Sequence, residues 1–216
     1  MIPTAVIPAY NEEKYIAAVI RKAKKYAKIV VVDDGSSDKT ISIAKKAGAT
    51  VLQHAINLGK GAALKTGCDY AFQHGAKKII LIDSDGQHSS DEIPKFAKAL
   101  DKNDIVFSYR TGSKKMPQVL KLGNWGLSII TSILFGVKVS DSQCGYRAFT
   151  ADAYKSIRWQ SAGFDADNEM IANVGAKRLK YTEIPIRTVY LDKYKGTTII
   201  DGLKIGVRMV GIRLRW

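Results

Sequence analysis

The sequence predicts an α/β fold: a mostly parallel central sheet flanked by helices. Apolar, β-branched runs at residues 4–7, 29–32 and 79–82 read as strands buried on both faces. Segments of helical periodicity separate them, as right-handed βαβ crossovers require. The run before each crossover ends in polar residues rich in Asp, Asn and Gly, and ligands of open α/β sheets bind at such strand ends.

Each element follows in order. Residues 4–7 form the first strand, and Asn11 is expected to cap a helix to about Lys25, with Glu12 and Glu13 in its first turn. Residues 29–32 form a strand ending in Asp33-Asp34-Gly35-Ser36. Ser37 or Asp38 caps a helix to about Ala47, and residues 50–53 are a short strand. Asn57-Leu58-Gly59-Lys60-Gly61 opens a helix to about Gln73, and residues 78–82 form the next strand. A helix at 91–100 precedes a strand at 104–108. Beyond Arg110 the pattern changes. Residues 112–117 are a basic loop, 118–135 an apolar helix containing Trp125, and 140–147 a polar, glycine-bearing segment. Residues 164–176 are helical, 181–189 one or two strands around Pro185, and 197–216 a basic amphipathic stretch.

With 216 residues and no linker composition, the chain is expected to be one domain, 1–216, with halves 1–110 and 111–216. A hydrophobic content of 46% with 25% charged residues is ordinary for a globular protein, whereas a net charge of +14 calls for an anionic partner. No apolar run approaches the roughly 20 residues that span a bilayer. The N-terminus reads as a strand rather than a signal peptide. Cys68 and Cys144 lack metal or redox spacing and fit a reducing cytoplasm.

The most chemical segment is Asp83-Ser84-Asp85-Gly86-Gln87-His88. Asp83 and Asp85, one residue apart after a strand, point the same way. Carboxylates that close repel unless a cation lies between them, and oxygen ligands beside phosphate suit Mg²⁺ or Mn²⁺. Gln87 adds a neutral oxygen and His88 a nitrogen. Gly59-Lys60-Gly61 at a helix start offers backbone N–H groups and a cation to phosphate, or is a helix start with a solvated lysine. Asp34 offers an acceptor to a base or ribose; its alternative is a turn-forming Asp-Gly.

Pro8-Ala9-Tyr10-Asn11-Glu12, Asp33-Asp34-Gly35-Ser36, Asn57-Leu58-Gly59-Lys60-Gly61 and the Asp83–His88 segment together resemble the family-two glycosyltransferases of GT-A fold. Asp141-Ser142-Gln143-Cys144-Gly145-Tyr146-Arg147 narrows the resemblance to the dolichyl- and polyprenyl-phosphate sugar synthases, over nearly the whole chain. The resemblance implies inverting, metal-dependent transfer of a hexose from a UDP- or GDP-sugar to a lipid monophosphate, for protein glycosylation or cell-envelope glycan synthesis. It makes 1–110 the nucleotide-sugar half and 111–216 the acceptor half. By the same resemblance the donor meets Pro8, Tyr10, Glu12, Asp34, Lys60, Asp83, Ser84 and Lys193, and Asp83, Asp85 and Gln87 hold Mg²⁺ or Mn²⁺. Asp85, Arg110 and Glu169 are the expected catalytic residues, and Arg110, Lys121 and Arg147 meet the acceptor phosphate. Arg147 has an alternative, a structural ion pair with Asp141 or Glu169.

Where the family often has an arginine before Gly-x-Ser-Lys, this chain reads Asp192-Lys193-Tyr194-Lys195-Gly196-Thr197-Thr198, so Lys193 stands in for that arginine. Ser-Gln-Cys-Gly in place of the Ser-Gly-Phe-Arg of mannose synthases points to glucose or an N-acetylated hexosamine from a UDP donor. A bilayer-bound acceptor, the apolar 118–135 segment and the basic C-terminus imply a peripheral enzyme at the cytoplasmic face of an anionic membrane. Two other readings stand beside this one. A glycan-hydroxyl acceptor would need Glu169 or Asp167 as a base. A basic nucleic-acid-binding domain would need basic residues and aromatics clustered on one face, which the spread of Lys and Arg does not offer.

Overall fold

The structure, a computed structural model, describes residues 1–111, 118–163, 165–187 and 199–214, with the backbone alone at 118–122, 199–205 and 214. Among the described residues one seven-stranded sheet has the order β3-β2-β1-β4-β6-β5-β7. The strands are β1 (Thr4–Ala9), β2 (Lys28–Asp33), β3 (Thr50–Gln53), β4 (Lys78–Leu81), β5 (Ile105–Thr111), β6 (Arg147–Thr150) and β7 (Tyr181–Arg187). β1, β2, β3 and β4 are mutually parallel, as are β5 and β7. β6 alone runs against its neighbours, pairing Leu81 with Arg147 and Val106 with Ala148.

The period-two alternation of β1 explains the layers. Val6 faces a core built with Ala63, Leu64 and Cys68 of α3 (Lys60–Gln73), Tyr154 and Ile157 of α6 (Ala151–Ile157), and Met170 and Ile171 of α7 (Ala166–Ala176). Ile7, on the opposite face, joins Ile16 and Ile20 of α1 (Ile16–Ala23), Ala44 of α2 (Thr40–Lys46) and Phe96 of α4 (Ile93–Ala99). The remaining helices, α5 (Gln118–Phe135) and α8 (Ile199–Leu214), pack against each other and against α7, with Leu127 and Met209 buried between them.

The register brings the predicted motifs to one edge. Ala9 lies opposite Asp33, the Asp34 N–H donates to the Ala9 carbonyl at 2.8 Å, and the Ile82 N–H donates to Val6 at 3.1 Å. The turns after β1, β2 and β4 therefore open side by side.

Several boundaries differ from expectation. Asn11 does not cap α1, which begins at Ile16. It sits at φ 54°, a left-handed conformation that Asn tolerates better than most residues, and joins two motifs instead. Its N–H donates to Ser36 Oγ at 2.9 Å, and its side-chain oxygen accepts the Ser37 N–H at 2.9 Å. A short 3₁₀ turn, Ser90–Glu92, precedes α4. The strand expected at 104–108 runs on to Thr111. β6 and α6 have no counterpart in the sequence reading. A buried arginine breaks the alternation at residues 147–150, so that segment does not read as a strand.

Candidate active site

The site is built on the end of β4. Asp83 follows the strand, and Lys60, the first residue of α3, places Nζ 2.6 Å from Asp83 Oδ1, each side chain 22% exposed. His88 Nε2 stands 3.7 Å from Asp83 Oδ2. Its ring meets Tyr146 edge-on, and Tyr146 in turn stacks on Phe96. Gly145, beside β6, closes the other side: a Cβ there would lie 3.0 Å from Lys60 Nζ and 3.1 Å from Asp83 Oδ2.

The charges are unevenly balanced. Burial pushes the Asp83 carboxyl up, but Lys60, His88 and Arg110 more than offset that and hold it below the usual carboxylate range. Asp85 is pushed above that range, first by burial and then by the charge of Asp83. Burial opposes the charge on Lys60, yet Asp83, Asp167 and Asp85 hold its ammonium well above its ordinary pKa. Burial lowers the His88 pKa against the pull of both aspartates.

A divalent cation fits this environment. Two neighbouring carboxylates of which one resists ionisation are what a cation relieves. Asp83 and Asp85 are the acidic candidates, with Gln87 next in the turn, its N–H donating to Asp85 Oδ1 at 2.9 Å. No cluster of three or more His, Cys, Asp or Glu side chains suited to a metal exists among the described residues. Mg²⁺ and Mn²⁺ commonly take one or two carboxylates and draw their remaining ligands from phosphate and water.

Around the turn, Pro8 is buried, Glu12 half-buried and Tyr10 49% exposed. Ser84 is buried between the two aspartates. Arg110 lies at the end of β5 with its fork against Asp141, Nε to Oδ2 at 2.6 Å and Nη2 to Oδ1 at 3.0 Å. Lys193 lies outside the described residues, as does the side chain of Lys121.

Four expectations are corrected. Arg147 is not available to an acceptor phosphate, because it is 1% exposed and its donors are used. Nε donates to the Cys144 carbonyl (3.0 Å), Nη1 to that of Asp167 (2.6 Å) and Nη2 to that of Ser142 (2.7 Å), with the Asp167 carboxylate 3.5 Å away. It is a structural arginine paired with Asp167, not with Asp141 or Glu169.

Glu169 is likewise not placed as a base. Its Oε2 accepts the N–H groups of Gln160 (3.1 Å) and Ser161 (2.9 Å), fixing the loop 159–163. Asp34, 3% exposed, does not reach out to a base. It accepts from His54 Nδ1 (2.7 Å) and the N–H groups of Leu58 (3.0 Å) and Gly59 (2.8 Å), fastening the segment that leads into α3.

At the start of α3 two backbone donors, the N–H groups of Gly59 and Ala62, are already taken within the protein, which leaves the Lys60 ammonium as the group that could meet phosphate. The Ala62 N–H donates to the Ala162 carbonyl at 2.9 Å, and Trp159 Nε1 donates to the Gly61 carbonyl at 2.8 Å. A Cβ on Gly61 would sit 2.5 Å from the Ser161 carbonyl oxygen and 2.6 Å from that of Gly163. Glycine is required here by close approach, not by phosphate.

Sequence reasoning missed Trp159 and the loop 159–163 as parts of the site, and named Asp141 only as a partner for Arg147 and Asp167 only as an alternative base. An Asp in the same motif as a predicted acceptor arginine was a usable signal; the loop carried none.

Comparison with known proteins bears on the family and the fold. Residues 4–158 match the family described as "Glycosyl transferase family 2". The chain is 33% identical to the UDP-N-acetylglucosamine–dolichyl-phosphate N-acetylglucosaminyltransferase of Methanococcus voltae, over 97% of this chain and 95% of that protein. It is 26% identical to the undecaprenyl-phosphate mannosyltransferase of Micrococcus luteus, over 98% and 92%. Its fold is similar to that of glucosyl-3-phosphoglycerate synthase from Mycobacterium tuberculosis, solved with Mn²⁺, UDP and glucosyl-3-phosphoglycerate. That likeness has a TM-score of 0.75 at 19% identity and covers 98% of this chain and 78% of the synthase. An α/β sheet with an aspartate pair at a central strand end, matched over most of its length, places the chain: it belongs to glycosyl transferase family 2 and is a glycosyltransferase of GT-A fold.

Proposed function

We propose that this enzyme transfers a hexose, or an N-acetylated hexosamine, from a UDP-sugar to a polyprenyl or dolichyl phosphate with inversion at the anomeric carbon. One observation carries the acceptor assignment: the carboxylates a hydroxyl acceptor would need as a base are already engaged. Glu169 holds the backbone of Gln160 and Ser161, and Asp167 faces the buried Arg147. A hydroxyl must lose its proton during attack, and a general base contributes typically 10²–10⁴-fold. A phosphate monoester has a second pKa of about 6 and is already an anionic nucleophile. The names of the Methanococcus and Micrococcus relatives support the same acceptor class, and the former supports a UDP-N-acetylhexosamine donor.

In this reading the donor lies across the turns after β1, β2 and β4, with Pro8, Tyr10 and Glu12 beside the nucleoside. Asp83 and Asp85, with Gln87, would hold Mg²⁺ or Mn²⁺, which supplies Lewis-acid stabilisation of the departing diphosphate. Arg110, oriented by Asp141, faces the acceptor phosphate, because a guanidinium fork suits phosphate oxygens. Lys121 and Lys193 keep the acceptor and donor roles the family resemblance gave them.

No helix among the described residues is long and apolar enough to cross a membrane. A peripheral seat on an anionic bilayer is supported by Trp125 (61% exposed) and Ile133 (77%) on α5 and Val207 (74%) on α8, beside the exposed Arg208 and Arg213. We assign the enzyme to the cytoplasmic face, where nucleotide sugars and reduced cysteines belong.

The test is a panel of UDP- and GDP-sugars offered with a short polyprenyl phosphate and Mn²⁺ or Mg²⁺, following label into organic extract. Transfer from a UDP-sugar is expected. Transfer only to glycan hydroxyls, or none to the lipid from any donor, would overturn the assignment.

A further inference from the structure

We infer that Lys60 is a resident counter-ion that competes with the divalent cation for Asp83, and that a bound nucleoside diphosphate relieves the competition by giving its ammonium a second acceptor. This rests on the proposed metal-dependent use of UDP-sugars and deepens it.

The geometry supplies both halves of the device. Lys60 Nζ is 2.6 Å from Asp83 Oδ1, and the pair is only 22% exposed, so little water screens it. Gly145 lies beside the pair: a Cβ there would come within 3.0 Å of Lys60 Nζ and 3.4 Å of Asp83 Oδ1, so a larger side chain would crowd it. Lys60 and a divalent cation therefore draw on the same carboxylate charge, and two cations that close repel each other.

The backbone beneath Lys60 is held by loop 159–163, while its side chain ends on Asp83. Gly59 and Gly61 are wedged against the carbonyls of loop 159–163, and the Ala62 N–H and Gly61 carbonyl are tied to Ala162 and Trp159. A four-carbon stem on a fixed base lets the ammonium trade one oxygen for another without moving α3. Diphosphate oxygens delivered beside Asp83 would provide that exchange.

Two consequences follow. Without nucleotide, Lys60 must be driven from its partner before the cation can bind, so the empty enzyme binds metal weakly. With nucleotide, Lys60 turns to phosphate and Asp83 is released. Metal and nucleotide thus promote each other's binding beyond their direct contact, and by linkage the promotion is reciprocal.

The experiment measures Mn²⁺ binding by the loss of the free-ion electron paramagnetic resonance signal, with and without UDP, at pH 8. Wild type is compared with Lys60→Met, which keeps the stem and removes the charge, with Lys60→Gln as a second neutral variant and Lys60→Arg as a charged one. Thermal melts confirm that each is folded. In the neutral variants Mn²⁺ alone is expected to bind at least about fivefold tighter, and the enhancement by UDP to shrink by a similar factor, within the usual 5–150-fold span of coupling between sites. Lys60→Arg should keep the wild-type pattern. Unchanged or weaker Mn²⁺ binding to the nucleotide-free neutral variants would overturn the inference while leaving the proposed metal site intact. Failure of wild type to bind Mn²⁺ even with UDP would overturn both.

Discussion

Arg110 and Asp141 lie fork to fork, with Nε 2.6 Å from one carboxylate oxygen and Nη2 3.0 Å from the other. The two side chains are 18% and 10% exposed, so the pair is a fixed part of the site wall rather than a surface contact. Asp141→Asn loses the charge and one acceptor of the pair. Hydrogen bonds to charged groups contribute about 1.5–3 kcal/mol, so the acceptor KM should rise roughly ten- to hundredfold by the usual conversion. The donor KM should change little. Steady-state kinetics varying each substrate separate the two, and an equal rise in both would place Arg110 away from the acceptor.

Glu169→Gln keeps an oxygen that can accept the N–H groups of Gln160 and Ser161. We expect turnover within about tenfold of wild type and an unaltered pH profile, since a lost general base would remove about 10²–10⁴-fold. Glu169→Ala frees the loop and should lower the melting temperature as well. A hundredfold loss of kcat in Glu169→Gln at normal stability would restore it as the base.

Asp83→Asn and Asp85→Asn should each abolish detectable transfer, and chelation of divalent cations should do the same reversibly in wild type. The carboxyl of Asp85 is raised by burial and by Asp83. As pH falls it therefore takes up a proton earlier than an ordinary aspartate, and a protonated ligand binds metal poorly. Mn²⁺ affinity should accordingly weaken on acidification from neutral pH, and titration calorimetry across that range checks the sign.

Gly61→Ala forces a methyl group against the carbonyls of Ser161 and Gly163. Overpacking of this kind costs typically 1–3 kcal/mol, a drop of roughly 2–12 °C in melting temperature for a chain this size. Trp159→Phe removes one buried hydrogen bond to Gly61 and should cost about 1 kcal/mol. Calorimetry of both variants measures these effects. An undiminished Gly61→Ala protein would show that loop 159–163 does not bear on α3.

Ile133→Ser and Val207→Ser remove exposed apolar surface from α5 and α8 without touching the buried Leu127 and Met209. Sedimentation with anionic liposomes should show weaker partitioning of each variant, and high salt should weaken the wild type too. Equal partitioning of wild type and variants would remove these helices from the membrane contact.

Much of the fold was legible because its signals are local. The strand at Thr50–Gln53 and the helix at Gln118–Phe135 match their sequence-predicted spans, and the runs that became β1, β2 and β4 are apolar on both faces. β6 was hidden because its first residue, Arg147, is a charge that reads as surface. The carbonyls of Cys144, Ser142 and Asp167, gathered from two segments, together with the Asp167 carboxylate make its burial tolerable. Asn11 misled for a related reason: a helix-capping residue type was recruited by Ser36 and Ser37, 25 and 26 positions away.

Periodicity and strand-end chemistry, both carried by neighbouring residues, sufficed for a mostly parallel α/β sheet with a carboxylate pair at a central strand end, and the resemblance of its motifs pointed to the family. Which polar groups are committed and which remain for substrate was decided only in three dimensions. Glu169, Asp34 and Arg147 each carry chemistry suited to a ligand, yet each is taken up largely by backbone partners, some a few positions away and some as far as 25. A residue's type states what it can bind, whereas the partners that folding brings within 3 Å determine what it does bind.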